Sequence, residues 1–194
     1  GSEMCIRDRN MQTDMTGKVA LVTGGAGGIG EFICERLAQA GGTVLMLDVD
    51  SSKAEQTLSR LSDRLGDAVQ RIQFVLGDLN DLQATDQLAQ NLVKRHGAID
   101  VLVNNAGVND GISLSDGPEA FIGSLERNLI HYYAMAHYAL DALKQSQGAI
   151  TNISSKVAAT GQGGTSGYAA SKGGINGLTR EWALDLAADN IRVN

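Results

Sequence analysis

Tyr168 and Lys172 lie four residues apart in a helical pattern, so their side chains should share one helix face. An ordinary tyrosine has a pKa of about 10 and is a poor base at pH 7. A lysine ammonium roughly 4 Å away would favour the tyrosinate by about 4 kcal/mol at an effective dielectric constant of 20. The pair therefore predicts a general base that exchanges a proton with a hydroxyl or carbonyl group. The alternative is an ordinary pair of residues on a helix surface.

A glycine-rich loop supplies a second chemical feature. Residues 23–30 read TGGAGGIG and directly follow a short apolar run. Gly25, Gly27 and Gly30 match the spacing GxGxxG, and Gly24, Gly28 and Gly30 match TGxxxGxG. Glycines between a strand and a helix let backbone amides and the helix N-terminus face a pyrophosphate. A purely structural turn is the alternative interpretation of the same residues.

Asp48 ends the next apolar run, 18 residues beyond Gly30. An acidic side chain about 20 residues after the loop is placed to bind the adenosine ribose hydroxyls. The same carboxylate would repel a 2′-phosphate, and neither residues 24–30 nor residues 49–50 include a lysine or arginine. These features predict NAD rather than NADP as cofactor. The alternative is an exposed aspartate at a strand end.

The elements that must position these residues alternate along the chain. Short, apolar, β-branched runs predict strands over 19–22, 44–47, 72–76, 99–103, 149–153 and 191–193. Helical patterns separate them over 29–40, 52–65, 82–96, 121–143 and 168–187. Such alternation is typical of the α/β class. We therefore predict a Rossmann-like, doubly wound parallel sheet with helices on both faces.

The domain boundaries follow from where this alternation begins and ends. Residues 1–15 show no periodicity, and we expect a disordered leader, tag or non-native segment there. Residues 16–194 form the predicted NAD-binding domain. The chain ends at Asn194 just as a sixth strand begins, so we expect a domain that is truncated at its C-terminus.

The motifs together resemble those of the short-chain dehydrogenase/reductase family. From residue 18 to residue 194 they occur in the family's order: TGxxxGIG at 23–30, Asp78, NNAG at 104–107, Asn128, Ser155 and YxxxK at 168–172. The resemblance implies an NAD-dependent dehydrogenase that acts on CH–OH groups. The implied catalytic residues are Asn128, Ser155, Tyr168 and Lys172.

The resemblance also implies individual roles. Ser155, rather than Ser154, would hold the substrate oxygen, because it lies 13 residues before Tyr168, the family's usual separation. Lys172 would also bind the nicotinamide ribose. Asn128 would hold a water of the proton relay, and the alternative is a solvent-facing asparagine.

The implied cofactor-binding residues extend from the glycine loop to the catalytic pair. Asn105 would hydrogen-bond the adenosine side of the cofactor and help to fix the loop, although its NNAG motif could also be a tight strand end. Asp78 and Leu79 would contact adenine, and Asp78 could equally be a turn or helix-start residue. The full set is Gly24, Gly28, Ile29, Gly30, Asp48, Asp78, Leu79, Asn105, Ala106, Gly107, Tyr168 and Lys172.

Composition argues against several other classes. The net charge of -6 disfavours nucleic-acid binding, which needs a basic face. No apolar run approaches the roughly 18 residues of a membrane span. The two cysteines are too few for a disulfide framework, and the three histidines lack metal-ligand spacing. We expect a cytoplasmic enzyme with a small-molecule substrate and no metal. The resemblance alone implies a homotetramer.

The substrate is predicted from loops at the carboxyl edge of the sheet. Residues 109–112, 124–133 and 155–163 resemble the sugar dehydrogenases of the family, L-fucose dehydrogenases in particular. Asn109, Asp110, Lys156 and Gln162 offer hydrogen-bonding groups to a polyhydroxylated ring, unless they are ordinary polar loop residues. The alternative reaction is reduction of a small ketone or a 3-oxoacyl thioester. A non-catalytic NAD-binding module or an inactive fragment is the alternative of another class.

Overall fold

Six parallel strands form the centre of the structure, a computed structural model that describes residues 14–194. They are β1 (Val19–Thr23), β2 (Thr43–Asp48), β3 (Ile72–Leu76), β4 (Val101–Asn104), β5 (Ala149–Asn152) and β6 (Arg192–Val193). Their order across the sheet is β3-β2-β1-β4-β5-β6, and every neighbouring pair is parallel. This arrangement confirms the predicted Rossmann-like, doubly wound sheet.

Helices cover both faces of the sheet. They are α1 (Gly28–Gln39), α2 (Ser51–Leu65), α3 (Leu82–His96), α4 (Gly117–Leu125), α5 (His131–Tyr138), α6 (Leu140–Ser146), α7 (Val157–Thr160) and α8 (Ser166–Asp185). Because successive strand residues point to opposite faces, Leu21 joins one hydrophobic cluster and Val22 the other. The first cluster includes Leu92, Met135 and Trp182 from α3, α5 and α8. The second includes buried residues of α1 and α2.

The prediction of one continuous helix over residues 121–143 is wrong. The helix begins earlier, at Gly117, with Pro118 in its first turn. A π-helical turn, Glu126–Ile130, then interrupts it before α5, and a further break at Ala139 separates α5 from α6. A π turn adds one residue to the helical circuit and redirects the side chains around it. Hydrophobic periodicity does not carry that signal.

The predicted boundary at residue 15 also needs a correction. Met15 is buried in the core, and its N–H donates to the Ala40 carbonyl over 2.8 Å. The folded unit therefore includes a residue that the sequence assigned to the leader. The rest of that prediction, over residues 1–13, lies outside the described residues. Within residues 14–194, no helix is both long and apolar enough to cross a membrane.

A hydrogen-bonded cluster joins the carboxyl ends of β1 and β4. The Thr23 hydroxyl accepts the N–H groups of Asn105 (3.0 Å) and Ala106 (3.1 Å). In return, the Asn105 side-chain amide donates to the carbonyls of Thr23 (3.0 Å) and Gly24 (2.9 Å). The strand order reverses between β1 and β4, and a crevice opens at such a point in doubly wound sheets. The cluster therefore fixes the crevice where a ligand would bind.

We expect Thr23→Val to lower the free energy of unfolding by about 2–3 kcal/mol, because two N–H groups lose their acceptor at a fully buried site. Urea denaturation measures this change. The matched control is Thr43→Val, since the Thr43 hydroxyl on β2 makes no hydrogen bond to any of the described residues. Equal stability of the two variants would contradict the role given to Thr23.

Candidate active site

The glycine loop forms a cradle at the N-terminus of α1. Gly24 (φ 62°) and Gly28 (φ 52°) adopt the left-handed conformation that favours glycine. A Cβ atom on Gly30 would lie 2.1 Å from the Gly24 carbonyl oxygen, so this glycine serves helix packing. Within the described residues, no side chain caps the start of α1. The first N–H groups of the helix thus remain available to an anion such as a pyrophosphate.

A cavity of about 510 Å³ runs along the carboxyl edge of the sheet from this cradle to Tyr168. Most of the predicted cofactor-binding residues line it: Gly24, Gly28, Ile29, Asp48, Asp78, Leu79, Asn105, Ala106, Gly107, Tyr168 and Lys172. Gly30 packs behind the loop, and neither Asn128 nor Ser155 forms part of the cavity wall. The volume is within the range of cofactor sites, and the lining residues fit an extended dinucleotide.

The Asp48 carboxylate is fixed at the end of β2. One oxygen accepts the Ala26 N–H over 3.0 Å, and the other accepts the N–H groups of Val49 (2.9 Å) and Asp50 (3.3 Å). The first bond ties the carboxylate to the glycine loop. The side chain thus lines the cavity beside the glycine loop, and its contact with the adenosine ribose stays a prediction.

Sequence reasoning missed Lys53, which lines the same cavity. Asp50 caps α2 by accepting the Lys53 N–H over 2.9 Å, so Lys53 lies in the first helical turn. Its ammonium would lie only 3.0 Å from a Cβ atom on Gly27. A base therefore does lie beside the glycine loop in the cavity that Asp48 also lines, although none occurs at residues 49–50. The capping position of Asp50 was the signal that could have located it.

Asp78 has the turn role that the sequence left open, and its contact with adenine stays a prediction. Its carboxylate accepts the N–H and the side-chain amide of Asn80, each over 3.0 Å, as in a local turn. Asp81, three residues later, is the residue that caps α3. Asp78 and its buried neighbour Leu79 nevertheless line the cavity beyond β3, where adenine would contact them.

The catalytic pair lies on α8 at the opposite end of the cavity. Lys172 is 3% exposed, and its Nζ lies 5.6 Å from the centroid of the Tyr168 ring. Burial lowers the pKa of Lys172 to about 8. Its ammonium donates to the Ile153 carbonyl over 2.7 Å and to the Tyr132 hydroxyl over 3.1 Å. The pair shares one helix face, as the spacing predicts.

The two serines after β5 make different hydrogen bonds. The Ser154 hydroxyl donates to the Lys172 carbonyl over 3.1 Å and so ties the strand end to α8. The Ser155 hydroxyl only accepts, from the Val157 N–H over 3.3 Å. Among the described residues no acceptor takes the Ser155 proton, which leaves it for a substrate oxygen. Ser154 is the one in the cavity wall, and Ser155 lies beside it.

Asn128 is fully buried within the π-helical turn, so the solvent-facing alternative is wrong. Its side-chain oxygen accepts the Val108 N–H over 2.7 Å, and its amide donates to the Ser124 carbonyl over 3.1 Å. The side chain thereby holds the segment after β4 against the turn. A relay water held by Asn128 stays a prediction.

Three residues near Lys172 were not predicted as site residues. Arg127 and His131 line the cavity, and Tyr132 lies behind Lys172. His131 Nε2 lies 2.9 Å from the Arg127 carbonyl and must therefore carry a proton. Burial lowers the pKa of His131 to about 4, so the ring is neutral at physiological pH. Among residues 14–194 no cluster of side chains could hold a metal ion.

Asp110 does not serve the role that the sequence gave it. Its carboxylate accepts the Arg127 guanidinium over 2.8 Å and the Ser124 hydroxyl over 3.0 Å. Burial alone would raise the pKa of Asp110, but these two donors outweigh it and hold the pKa below its usual range. Asp110 therefore ties the segment after β4 to α4 and the π-helical turn. Asn109, Lys156 and Gln162 remain exposed.

The sheet order, the anion cradle and the pairing of Tyr168 with buried Lys172 define a dinucleotide-binding oxidoreductase. Comparison with known families agrees, since residues 18–194 match the short chain dehydrogenase model. The chain belongs to the short-chain dehydrogenase family, as the resemblance of its motifs predicts.

The relatives include proteins with different substrates. A 3-oxoacyl-(acyl-carrier-protein) reductase of Thermotoga maritima is 33% identical over 182 residues, covering 93% of this chain and 72% of the relative. The L-fucose dehydrogenase of Mus musculus is 34% identical over 184 residues, which span 94% of this chain but 64% of the relative. The crystal structure of Cj0485 dehydrogenase is 38% identical, with a TM-score of 0.85 over 95% of this chain and 69% of that one.

We expect Tyr168→Phe to lower turnover by about 10²–10⁴-fold, because it removes the phenol oxygen that we expect to act as the general base. NADH binding should stay near normal, since the ring remains in the cavity wall. Steady-state kinetics and NADH fluorescence measure the two effects. A variant that keeps more than about a tenth of the wild-type rate would show that Tyr168 is not the base.

Proposed function

We propose that the protein is an NAD-dependent dehydrogenase that oxidises a sugar hydroxyl, with an L-fucose-like aldose as substrate. The carboxylate of Asp48 carries the cofactor assignment. Three backbone N–H groups fix it beside the glycine loop, where we expect the adenosine ribose to bind, so a 2′-phosphate there would meet a carboxylate held in place. Repulsion between that carboxylate and the phosphate supports NAD.

The chain's own residues support an alcohol oxidation. A bound nicotinamide supplies the hydride acceptor. Ser155 donates its free proton to the substrate oxygen and orients the hydroxyl, while Tyr168 takes the hydroxyl proton. Lys172 provides a positive charge beside the developing tyrosinate. The hydroxyl carbon loses a hydride and its oxygen loses a proton, which leaves a carbonyl group.

The cofactor prediction is tested with two matched variants. We expect the enzyme to prefer NAD, and Asp48→Ala to weaken this preference by about tenfold, or roughly 1.4 kcal/mol, because it removes the charge that repels the 2′-phosphate. Lys53→Ala removes a positive charge beside the glycine loop and should raise the preference for NAD. Values of kcat/KM with both cofactors measure this. Equal or better use of NADP by the unmutated enzyme would contradict the assignment of NAD as cofactor.

The sugar assignment is supported by the surface next to the catalytic pair. Exposed Asn109, Lys156 and Gln162 follow β4 and β5, where the substrate of a doubly wound sheet binds. They offer donors and acceptors that several hydroxyl groups can use together. Oxidation of an aldose at its anomeric hydroxyl would give a lactone and NADH.

The second candidate is reduction of a 3-oxoacyl thioester or small ketone. Lys53 favours it, because a lysine beside the glycine loop could pair with the extra phosphate of NADPH. The sequence similarity covers about equal shares of this chain for both kinds of relative, 93% and 94%. Overall similarity therefore does not separate the two substrates.

A substrate panel separates the two candidates. We expect L-fucose, D-arabinose and L-galactose to be oxidised with NAD, since each presents several ring hydroxyls to the polar loops. The comparison arm is reduction of 3-oxoacyl thioesters and simple ketones with NADH and NADPH. If every aldose is inert while a thioester turns over, the sugar assignment is wrong and the family assignment stands.

A further inference from the structure

The ammonium of Lys172 is held by two acceptors inside the protein. Its Nζ donates to the Ile153 carbonyl over 2.7 Å and to the Tyr132 hydroxyl over 3.1 Å. The Tyr132 hydroxyl donates in turn to the same carbonyl over 3.0 Å. Because the tyrosine proton points to the carbonyl, a lone pair of its oxygen faces the ammonium. The three groups therefore form a closed triangle between α5, α8 and the end of β5.

This triangle fixes the direction of the third N–H group of the Lys172 ammonium. An ammonium has three N–H donors and no acceptor, and two of the three are used within the protein. Nζ lies between two aromatic rings, 5.1 Å from the Tyr132 centroid and 5.6 Å from that of Tyr168. The third N–H is thus left for the cavity, where Tyr168 and the cofactor ribose would lie.

Tyr132 is suited to hold a cation without taking part in the proton transfer. Its side chain is fully buried, and burial raises the pKa of its phenol well above the usual range. The phenol therefore stays protonated and cannot compete with Tyr168 as a base. A buried tyrosine hydroxyl normally finds a partner, and here both partners belong to the lysine site.

We propose that Tyr132 is a positioning residue that aims the Lys172 ammonium at the reacting end of the cavity. This inference rests on the proposed role of Tyr168 and Lys172 but not on the identity of the substrate. The titratable groups that face Lys172 are Tyr168 on α8, with Tyr132 and neutral His131 on α5. No carboxylate within residues 14–194 forms an ion pair with Lys172.

Tyr132→Phe tests the proposal in the full-length enzyme, because it removes one oxygen and keeps the buried ring. We expect kcat to fall by about ten- to a hundredfold, the usual effect of losing a hydrogen bond to a charged group. Loss of an acceptor disfavours the ammonium, so the pKa of Lys172 should fall further. The alkaline limb of the pH–rate profile should therefore move to lower pH, by about one pH unit.

Tyr133→Phe is the matched control. It removes the same atom from the next residue, whose side chain is 56% exposed. We expect an unchanged kcat and pH profile for this variant. If Tyr132→Phe folds and matches the control in both measurements, the proposal is overturned. Retained activity of Tyr168→Phe in the same assay would instead contradict the proposed function.

Stability provides a second measurement if Tyr132→Phe folds poorly. The phenylalanine leaves a buried ammonium short of one acceptor, and Lys172→Met removes that charge. We therefore expect the double variant to recover most of the stability that Tyr132→Phe loses, measured by urea denaturation. A double variant as unstable as Tyr132→Phe would show that the tyrosine hydroxyl does not act through Lys172 and would overturn the proposal.

Discussion

The reciprocal hydrogen bonds between Thr23 and Asn105 are the constraint on which the rest of the site depends. They join the only two neighbouring strands at which the sheet reverses its order, and they do so at the carboxyl edge. The glycine loop follows β1 and the NNAG segment follows β4, and the residues after β2, β3 and β5 that complete the cavity lie on either side of them. A shift between these strands would separate the glycine loop from the segment after β4, and both form walls of one cavity.

A chain of buried polar side chains extends the same constraint towards α8. The Asn104 amide donates to the Asn152 side chain over 3.0 Å, which connects β4 to β5. The Asn152 amide then donates to the Thr179 hydroxyl on α8, also over 3.0 Å. Buried polar groups are costly unless paired, so these bonds favour one placement of the helix over others. The position of α8, which carries Tyr168 and Lys172, is thus fixed relative to β4 and β5.

The features that sequence predicts well are those set by short-range spacing. Strand and helix periods predict the sheet, the glycine spacing predicts the cradle, and a separation of four residues places Tyr168 and Lys172 on one face. Each depends on residues within one turn or one loop. The residue types at those positions were therefore enough to predict these features.

The features that sequence missed depend on contacts between distant elements. Lys53 reaches the glycine loop only because α2 begins beside that loop. Asp110 accepts a hydrogen bond from Arg127, which lies 17 residues further along the chain. The Tyr132 hydroxyl meets Lys172 across 40 residues of sequence. The π-helical turn just before Tyr132 also has no hydrophobic period that would predict it. Apart from the cap at Asp50, which marks the start of α2, none of these contacts leaves a local pattern in residue type or spacing.

The lysine site shows how stability and chemistry are balanced. An ammonium that is almost fully buried is disfavoured, and its pKa accordingly falls to about 8. The carbonyl of Ile153 and the hydroxyl of Tyr132 offset part of that cost, and both are supplied by the protein. The charge is therefore oriented before any cofactor arrives. Since preorganised charges need no rearrangement during the reaction, the same bonds that tolerate the buried lysine also direct it at Tyr168.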